Sequence, residues 1–312
     1  MRFDHTGYER VDDIYRMMET EFLSGSSLVN GILGQVLSAR GKGVRPEFMY
    51  LTARLAGGGW ETVRRAAAMI EAVHLASLLH DDVVDASVLR RGAATLNRRY
   101  SDKLSVLFGD YVFLRALSLL SALGDSRIAG VMERAMGRMF EGEIADSLAS
   151  PGADEDRYLS VIADKTASLF SAAGEIGMIL AGGDDDARAT ARELGECAGM
   201  AFQIVDDALD CDAGVAGTGK TPFMDIRTGC LTLPLIHAVR EGGSGIWEAL
   251  GRADCPVECV ADMVRETGGI GYSFDRAAEY ARRGKDLLRH WAAGESRDAM
   301  DRFFDSLVNR RY

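Results

Sequence analysis

The amino-acid sequence predicts an all-α fold, a single helical domain that extends over residues 1–312. Prolines are rare, and none falls between Pro46 and Pro151, where Ala, Leu, Met, Arg and Glu recur at helical spacing. The sequence lacks the alternating apolar and polar runs, bounded by turn residues, that would indicate strands. Together these patterns predict about ten to thirteen helices.

Glycine-rich turns separate the predicted helices in order along the chain. They lie at residues 56–59, 151–152, 182–183, 242–243 and 268–269. The longer segments between these turns are long enough to form helices. No segment has the composition of a linker that would divide the chain, so one domain is expected.

Composition and charge narrow the classes of function. The chain is 47% hydrophobic and 27% charged, which is ordinary for a soluble globular protein. Its net charge of −11 argues against nucleic acid as the main partner, because nucleic-acid-binding surfaces are usually basic. The five irregularly spaced cysteines match neither a disulfide framework nor a zinc site, so a reducing cytoplasm is predicted.

The sequence contains no pattern that predicts export or a membrane anchor. The N-terminus lacks the apolar stretch of a secretory signal. A run of about 18 uncharged apolar residues does not occur. The best candidate, residues 169–180, is interrupted by Glu175. We therefore expect a cytoplasmic protein without a transmembrane segment.

The strongest functional signal is a repeated acidic motif, Asp-Asp-x-x-Asp. One copy lies at residues 81–85 and the other at 206–210, and each follows an apolar helical run. The first and fifth positions share a helix face, so two carboxylates point the same way with a third beside them. Such oxygen ligands suit Mg²⁺, which takes one or two carboxylates together with water and substrate phosphate. The two copies predict faces that hold a metal-bound diphosphate.

An isolated acidic pair, by contrast, usually marks a solvated helix face. The chain has 47 acidic residues, and residues 12–13 and 184–186 are examples without an apolar context. Both motif copies lie in apolar stretches, where a buried carboxylate is costly without a cation or a partner. This difference favours a function for the two motifs.

Basic residues recur near both copies of the motif. They are Lys42, Arg45, Arg90, Arg91, Lys165 and Lys220. His74 lies about two helical turns before Asp81 and therefore on the same side of its helix. A lone histidine on an apolar helix is more often a core residue than a ligand contact, and each cation alone is weak evidence. Together they provide the positive charge that a site for two diphosphates needs.

These segments resemble the trans-isoprenyl diphosphate synthases. The resemblance is carried by residues 41–46, 78–85, 89–92, 165–167, 202–210 and 232–236. The segments keep the family's order and spacing nearly end to end, which is far more specific than any one motif. The resemblance implies an all-α bundle around a deep central cavity, usually in a homodimer. It also implies head-to-tail condensation of isopentenyl diphosphate onto an allylic diphosphate.

The resemblance further implies a role for each matched residue. About three Mg²⁺ would bind the allylic diphosphate and would be held by Asp81, Asp82, Asp85, Asp206 and Asp210. Metal ions of this kind assist the departure of a phosphate group. Asp207 would be a further ligand or a support. The same diphosphate would contact Arg90, Lys165 and Lys220. Isopentenyl diphosphate would bind Lys42, Arg45, His74 and Arg91. Thr166 and Gln203 would flank the allylic cation.

Two positions depart from the family pattern. Cys230 stands where a lysine is usual, which would remove one point charge from the allylic diphosphate site. Gly43 stands where a basic residue is usual. We expect Cys230→Lys to lower the Michaelis constant for the allylic substrate, and an unchanged or raised value would contradict this.

Two small residues predict a long product. In this family the residues four and five positions before the first aspartate help to set product length, and in this sequence they are Ser77 and Ala76. Small side chains leave the cavity open, so a product longer than twenty carbons is expected. Alternatively, these residues merely fit helix packing and the floor lies elsewhere, with Phe113 and Leu114 as candidates.

Other functions stay open from the sequence alone. A short-chain synthase with a product of fifteen to twenty carbons would share every motif. A terpene cyclase would share the fold, but its second metal site usually mixes Asn, Ser or Thr with Glu. A non-catalytic partner subunit would be expected to have lost the acidic motifs, and only Cys230 favours that interpretation. Transient membrane contact would help to release a very apolar product.

Overall fold

The structure, a computed structural model, describes residues 5–148, 152, 154–211, 231–242, 245–246 and 257–309. The prediction of an all-α fold is confirmed. These residues contain fourteen α-helices, one more than the largest number predicted, and one of them is a single turn of four residues. The chain divides into two compact units, the first formed by Met1–Glu133 and Ala172–Arg192, the second by Arg134–Ser171 and Glu193–Tyr312.

The helices follow one another along the chain with short connections. The N-terminal ones are α1 His5–Glu21, α2 Ser27–Ser38, α3 Val44–Leu55, α4 Trp60–Val84, α5 Leu96–Arg99, α6 Asp102–Leu123 and α7 Ser126–Ser147. The later ones are α8 Glu155–Ile162, α9 Ser168–Leu180, α10 Asp185–Asp210, α11 Leu233–Gly242, α12 Val257–Glu266, α13 Gly269–Leu287 and α14 Glu295–Val308. A π-helical turn at Ala163–Ala167 joins α8 to α9.

The core of the first unit is built around α4. This helix packs most extensively against α6 and next against α3. Its alanine-rich stretch at residues 66–68 is fully buried, because small side chains let neighbouring helices approach closely. Gly177 allows a similar approach, since a Cβ there would lie 2.5 Å from the Met49 carbonyl oxygen. The dense packing fixes α4, which carries half of the predicted site residues of this unit.

A short hairpin follows α4 and is the one strand pair among the described residues. Strands β1 Leu89–Arg90 and β2 Ala93–Ala94 pair antiparallel, with Arg90 opposite Ala93. The two residues between them, Arg91 and Gly92, both have positive φ, at 53° and 77°. A two-residue hairpin of type I′ requires this backbone and disfavours non-glycine residues there. No signal in the sequence indicated this strand pair, because two-residue strands are too short to show an alternating pattern.

The core of the second unit centres on α10. Ile204, Val205 and Leu209 of this helix pack with Tyr158 of α8 and Ala277 of α13. Glycines at positions 195 and 199 let the chain around the π-helical turn lie directly on α10. A Cβ at Gly199 would fall 2.5 Å from the Ala167 Cα, and one at Gly195 would fall 2.4 Å from the Phe170 oxygen.

Helix α6 has an exposed apolar face. Among the described residues it alone is long and apolar enough to cross a membrane by length and composition, and only 28% of its apolar stretch is buried. The exposed side chains include Val106, Leu107, Leu114 and Leu117. They lie on one side of α6, because their spacing follows the helical repeat.

Candidate active site

In the first unit the acidic motif occupies the C-terminal end of α4. Helix α4 ends at Val84, and the Asp85 N–H still donates to the Asp81 carbonyl oxygen at 2.8 Å. The last carbonyl groups of a helix carry partial negative charge, so carboxylates in this turn are disfavoured unless a cation is near. Asp81 is partly buried and Asp85 is exposed. The motif therefore forms a concentrated negative end on a rigid helix.

The middle aspartate of this motif is held by the hairpin. Asp82 is buried, and Arg90 Nε donates to its Oδ1 at 2.6 Å. Burial raises the pKa of Asp82 above its ordinary value, although the charge and hydrogen bond of Arg90 oppose this shift. Asn97 Nδ2 also donates to the Asp82 carbonyl oxygen at 2.9 Å. Two predicted site residues, Asp82 and Arg90, are thus in direct contact.

The second arginine of the hairpin reaches the segment before α3. Arg91 Nη1 donates to the Ala39 carbonyl oxygen at 2.6 Å. A Cβ on Gly41 would lie 2.5 Å from Glu71 Oε1 and 3.1 Å from Arg91 Nη2, so all three groups meet there. Tyr15 completes this cluster, because its hydroxyl group accepts from the Gly41 N–H at 2.7 Å and donates to Glu71 at 3.2 Å.

The predicted isopentenyl diphosphate residues gather around the same cluster. Arg45 is buried in the first turn of α3, and its charge and that of Arg91 act on both Glu71 and His74. Burial first, and then these positive charges, keep the pKa of His74 well below its usual value. His74 is therefore neutral near pH 7 and can offer one N–H as a donor. Lys42 is exposed and lies two residues before the start of α3.

The departure at Gly43 has a structural reason. Its φ of 61° is in the left-handed region, which favours glycine. A Cβ at this position would also lie 2.4 Å from Val11 Cγ2. A basic side chain at position 43 would therefore be strained and would collide with α1.

The residues predicted to set product length lie within α4. Ala76 is buried, and Ser77 is partly buried with its hydroxyl group donating to the His74 carbonyl oxygen at 2.9 Å. Phe113 is partly buried, whereas Leu114 is 58% exposed. The exposure of Leu114 argues against its serving as a floor within this unit.

In the second unit the acidic motif again ends a long helix, α10. Its middle residue, Asp207, is buried and accepts from the Tyr158 hydroxyl group at 2.6 Å and from Gln203 Nε2 at 2.8 Å. Gln203 in turn accepts from the Thr166 hydroxyl group at 2.9 Å. The predicted residues Thr166, Gln203 and Asp207 therefore form one hydrogen-bonded chain, in which every donor is neutral.

Lys165 is held by two carboxylates that the sequence did not indicate. Its Nζ lies 2.8 Å from both Glu143 Oε2 and Asp146 Oδ2 on α7. Burial by itself would lower the pKa of Lys165, but the hydrogen bonds to Asp146 and Glu143 raise it above its usual value. The ammonium group is therefore charged and fixed in direction before any substrate arrives.

Lys165 and Thr166 lie in the π-helical turn, and packing explains that turn. Arg138 Nε donates to Asp164 Oδ1 at 2.7 Å, which fastens the turn to α7. Gly199 lets Ala167 rest directly on α10. Single π-helical turns inside α-helices are frequent at functional sites. In this protein the turn carries the two adjacent side chains that the sequence singled out.

The donor set of both motifs fits Mg²⁺. Among the described residues, no three carboxylate, histidine or cysteine side chains converge tightly enough to hold a metal ion by themselves. Mg²⁺ does not need such a cage, because it keeps waters and binds one or two carboxylates together with substrate phosphate. Paired oxygen ligands at the carbonyl end of a helix meet this requirement. Lys220 and Cys230 lie outside the described residues.

Several contributing residues have little or no signal in the sequence. Tyr15 gives none, because nothing near it in the sequence is unusual. Glu143 and Asp146 form an i, i+3 acidic pair that resembles an ordinary solvated face. Gly195 and Gly199 form a small-xxx-small pattern on α10, which could have indicated a close helix contact.

Comparison with known proteins gives consistent matches over most of the chain. The family model described as polyprenyl synthetase matches residues 26–266. An octaprenyl diphosphate synthase of Escherichia coli is 38% identical over 268 residues, which is 83% of this chain and 82% of that protein. A nonaprenyl diphosphate synthase of Mycobacterium tuberculosis is 31% identical over 313 residues, which is 97% of this chain and 92% of that protein.

A solved structure agrees with these matches. It is a polyprenyl synthase from Caulobacter crescentus, complexed with calcium and isoprenyl diphosphate. Its sequence is 32% identical to this chain, and the TM-score is 0.91 with 98% of this chain and 96% of the other covered.

Proposed function

The chain belongs to the polyprenyl synthetase family and is a trans-prenyltransferase, and we propose that it condenses isopentenyl diphosphate head-to-tail onto an allylic diphosphate. The observation that supports this most directly is the paired acidic motif. Each copy ends a long helix and has its middle aspartate held by a partner, Arg90 for Asp82 and Tyr158 for Asp207. The negative end of each helix suits Mg²⁺, which would in turn bind the diphosphate.

We propose that the outer aspartates hold Mg²⁺ for the allylic diphosphate. They are Asp81, Asp85, Asp206 and Asp210. Bound Mg²⁺ would stabilise the charge that develops on pyrophosphate when the allylic carbon–oxygen bond breaks. Asp82 and Asp207 are buried and hydrogen-bonded, which favours a supporting role for both. Arg90, Lys165 and Lys220 would add positive charge at the same diphosphate.

The remaining residues would handle the second substrate and the carbocation. Lys42, Arg45, Arg91 and neutral His74 would bind isopentenyl diphosphate. Thr166 and Gln203 would place dipoles beside the allylic cation without attacking it. The departing pyrophosphate would take the proton that the product loses, so the reaction needs no protein nucleophile. An apolar helix-lined path would exclude water from the cation.

We propose a product longer than twenty carbons. Ala76 and Ser77 are small, and the two relatives described above are named for octaprenyl and nonaprenyl products. The test combines purified protein, Mg²⁺, labelled isopentenyl diphosphate and farnesyl diphosphate, with the product resolved by chain length. If shorter starters gave products of only fifteen or twenty carbons, the prenyltransferase activity would be retained and the proposed product length would be wrong. Absence of turnover with every starter would favour a non-catalytic subunit.

The variant Ala76→Phe tests whether Ala76 determines the length of the product. An aromatic ring at this buried position should block elongation and shorten the product. The matched control is Leu28→Phe, because that side chain is 74% exposed on α2, outside the predicted site and the proposed α6 interface, and should leave the product unchanged. An unaltered product in Ala76→Phe would exclude Ala76 as a determinant of product length.

We propose that the chain acts as a homodimer through the exposed face of α6. Four exposed apolar side chains share that face, and contiguous exposed apolar surface is typical of protein–protein interaction sites. Leu107→Glu with Leu114→Glu should convert a dimer to a monomer in sedimentation analysis. A wild-type chain that sediments as a monomer, or that binds anionic vesicles through this face, would contradict the proposal. We expect the enzyme to act in the cytoplasm, with transient membrane contact for product release.

A further inference from the structure

A buried carboxylate lies in the middle of the predicted isopentenyl diphosphate residues. Glu71 is 3% exposed and belongs to α4. Four separate segments meet at its side chain: α1 through Tyr15, the segment before α3 through Gly41, α4 itself, and the hairpin turn through Arg91. Glu71 therefore lies where α1, the segment before α3 and the hairpin turn meet α4.

The charge of Glu71 is unexpected for an anion-binding site. A negative group beside a diphosphate lowers affinity by simple Coulomb repulsion. Burial also disfavours the carboxylate and raises its pKa, while Arg45 and Arg91 oppose that shift. A buried carboxylate is tolerated when cations and hydrogen-bond donors surround it. The role of Glu71 must therefore lie in its contacts with the surrounding residues.

Glu71 and Tyr15 join groups that come from separate segments of the chain. Two neighbouring guanidinium groups repel each other and would otherwise separate, and each long side chain has many rotamers. The Glu71 carboxylate attracts both Arg45 and Arg91. The Tyr15 hydroxyl group joins that carboxylate to the Gly41 N–H. Groups fixed in advance lose less entropy when a ligand binds.

We propose that Glu71 and Tyr15 are positioning residues that hold Arg45, Arg91 and the Gly41 backbone ready for isopentenyl diphosphate. The proposal rests on the proposed function, because it assigns the site to that substrate. Gly41 belongs to the same cluster of residues. Any side chain there would displace the Glu71 carboxylate, which lies 2.5 Å from the position of a Cβ.

Two variants test the proposal, Tyr15→Phe and Glu71→Gln. Tyr15→Phe removes one hydroxyl group without changing charge, and we expect the dissociation constant of isopentenyl diphosphate to rise about fivefold. Glu71→Gln removes the attraction for both arginines, and we expect a rise of about tenfold or more. The Michaelis constant for isopentenyl diphosphate should follow, while that for farnesyl diphosphate and kcat stay within about twofold.

The direction in which the dissociation constant of isopentenyl diphosphate changes distinguishes a positioning role of Glu71 from a purely electrostatic one. If Glu71 acted only by its charge, Glu71→Gln would tighten the binding of isopentenyl diphosphate and Tyr15→Phe would change nothing. Either result overturns the proposal. If Glu71→Gln fails to fold, Tyr15→Phe still tests the proposal, because this variant retains the Glu71 carboxylate and the two arginines.

The second unit offers matched controls. Glu155 is a buried carboxylate that accepts from the Tyr272 hydroxyl group at 2.9 Å and pairs with Arg240 and Arg276. Tyr272→Phe and Glu155→Gln remove the same chemical groups from a cluster that contains no predicted site residue. We expect both controls to bind isopentenyl diphosphate as the wild type does, and a comparable loss in them would overturn the proposal.

Calorimetry distinguishes this failure from that of the proposed function. Isopentenyl diphosphate is titrated into each protein, and turnover is measured in parallel. A wild-type protein that turns over while Tyr15→Phe and Glu71→Gln bind normally overturns the positioning proposal alone. A wild-type protein that neither binds isopentenyl diphosphate nor turns over overturns both.

Discussion

The two acidic motifs share a sequence pattern and a place at the end of a long helix, but their middle aspartates have different partners. In the first unit Asp82 accepts from a charged group, the Arg90 guanidinium at 2.6 Å. In the second unit Asp207 accepts from two neutral groups, the Tyr158 hydroxyl and the Gln203 amide. The same residue at the same motif position therefore accepts from a guanidinium group in one unit and from a hydroxyl and an amide group in the other.

This difference connects each motif to a different part of the proposed chemistry. The ion pair ties the first motif to the hairpin, whose second arginine belongs to the Glu71 cluster. The neutral hydrogen bonds tie the second motif to Thr166 in the π-helical turn, next to Lys165. A repeated motif thus does not imply a repeated site, because the supporting residues are set by separate packing.

The largest expected effect tests whether the outer aspartates of both motifs are needed for catalysis. Asp81→Asn and Asp206→Asn each remove one outer carboxylate, so each should lower kcat on the order of 10²–10³-fold by weakening the stabilisation of the leaving pyrophosphate. Steady-state kinetics at saturating Mg²⁺ measures this loss. Asp185→Asn is the control, because that aspartate is exposed and lies outside the motif. Full activity in one of the two variants would show that only one motif takes part.

The next effect tests the difference between the middle aspartates. Arg90→Met leaves the buried Asp82 carboxylate without its cation, and the free energy of unfolding at pH 7 should fall by about 2 kcal/mol. Tyr158→Phe removes one neutral donor from Asp207 and should cost about 1 kcal/mol. Urea unfolding measures both losses.

Their pH dependence separates the two variants more clearly. Without Arg90 nothing of comparable strength opposes the rise in the pKa of Asp82, so the penalty in Arg90→Met is largest at neutral pH. It should shrink as the pH falls and Asp82 takes up a proton. The penalty in Tyr158→Phe should change less over the same range. Equal pH dependence in the two variants would contradict the distinction between ionic and dipolar support.

The last effect, which develops only as the pH falls below neutral, concerns a titratable neighbour of the first motif. The pKa of His74 is held well below its usual value, so an unfolded chain binds a proton at this residue below about pH 6.5 while the folded chain does not. His74 therefore costs stability as the pH falls, by up to about 1.4 kcal/mol per pH unit. Thr166 and Gln203 beside the second motif do not titrate.

His74→Gln should remove this contribution. Unfolding measured between pH 7.5 and 5.5 should show a smaller loss of stability in the variant than in the wild type. Other groups with raised pKa values, such as Glu71 and Asp82, are present in both proteins and cancel in the difference. Parallel curves for the two proteins would contradict a depressed pKa at His74.

Local sequence patterns predicted the elements that carry the site. The long helices followed from periodicity and from the scarcity of proline, and the motifs lie at the ends of α4 and α10 as apolar runs followed by acidic residues would suggest. The hairpin at residues 89–94 was missed, because its strands are two residues long. Lys165 was predicted as a site residue, but its two carboxylate partners come from α7 and have no local signal.

The sequence alone determined which residues have the chemistry for diphosphate binding and that helices present them, because residue type and helical period are local properties. Only the tertiary structure decided how those residues are supported. Tyr15 meets Glu71 across 56 positions, and Tyr158 meets Asp207 across 49. Contacts of this range depend on how whole helices pack, and that packing is a collective result of the core. For this reason two identical motifs have different supports.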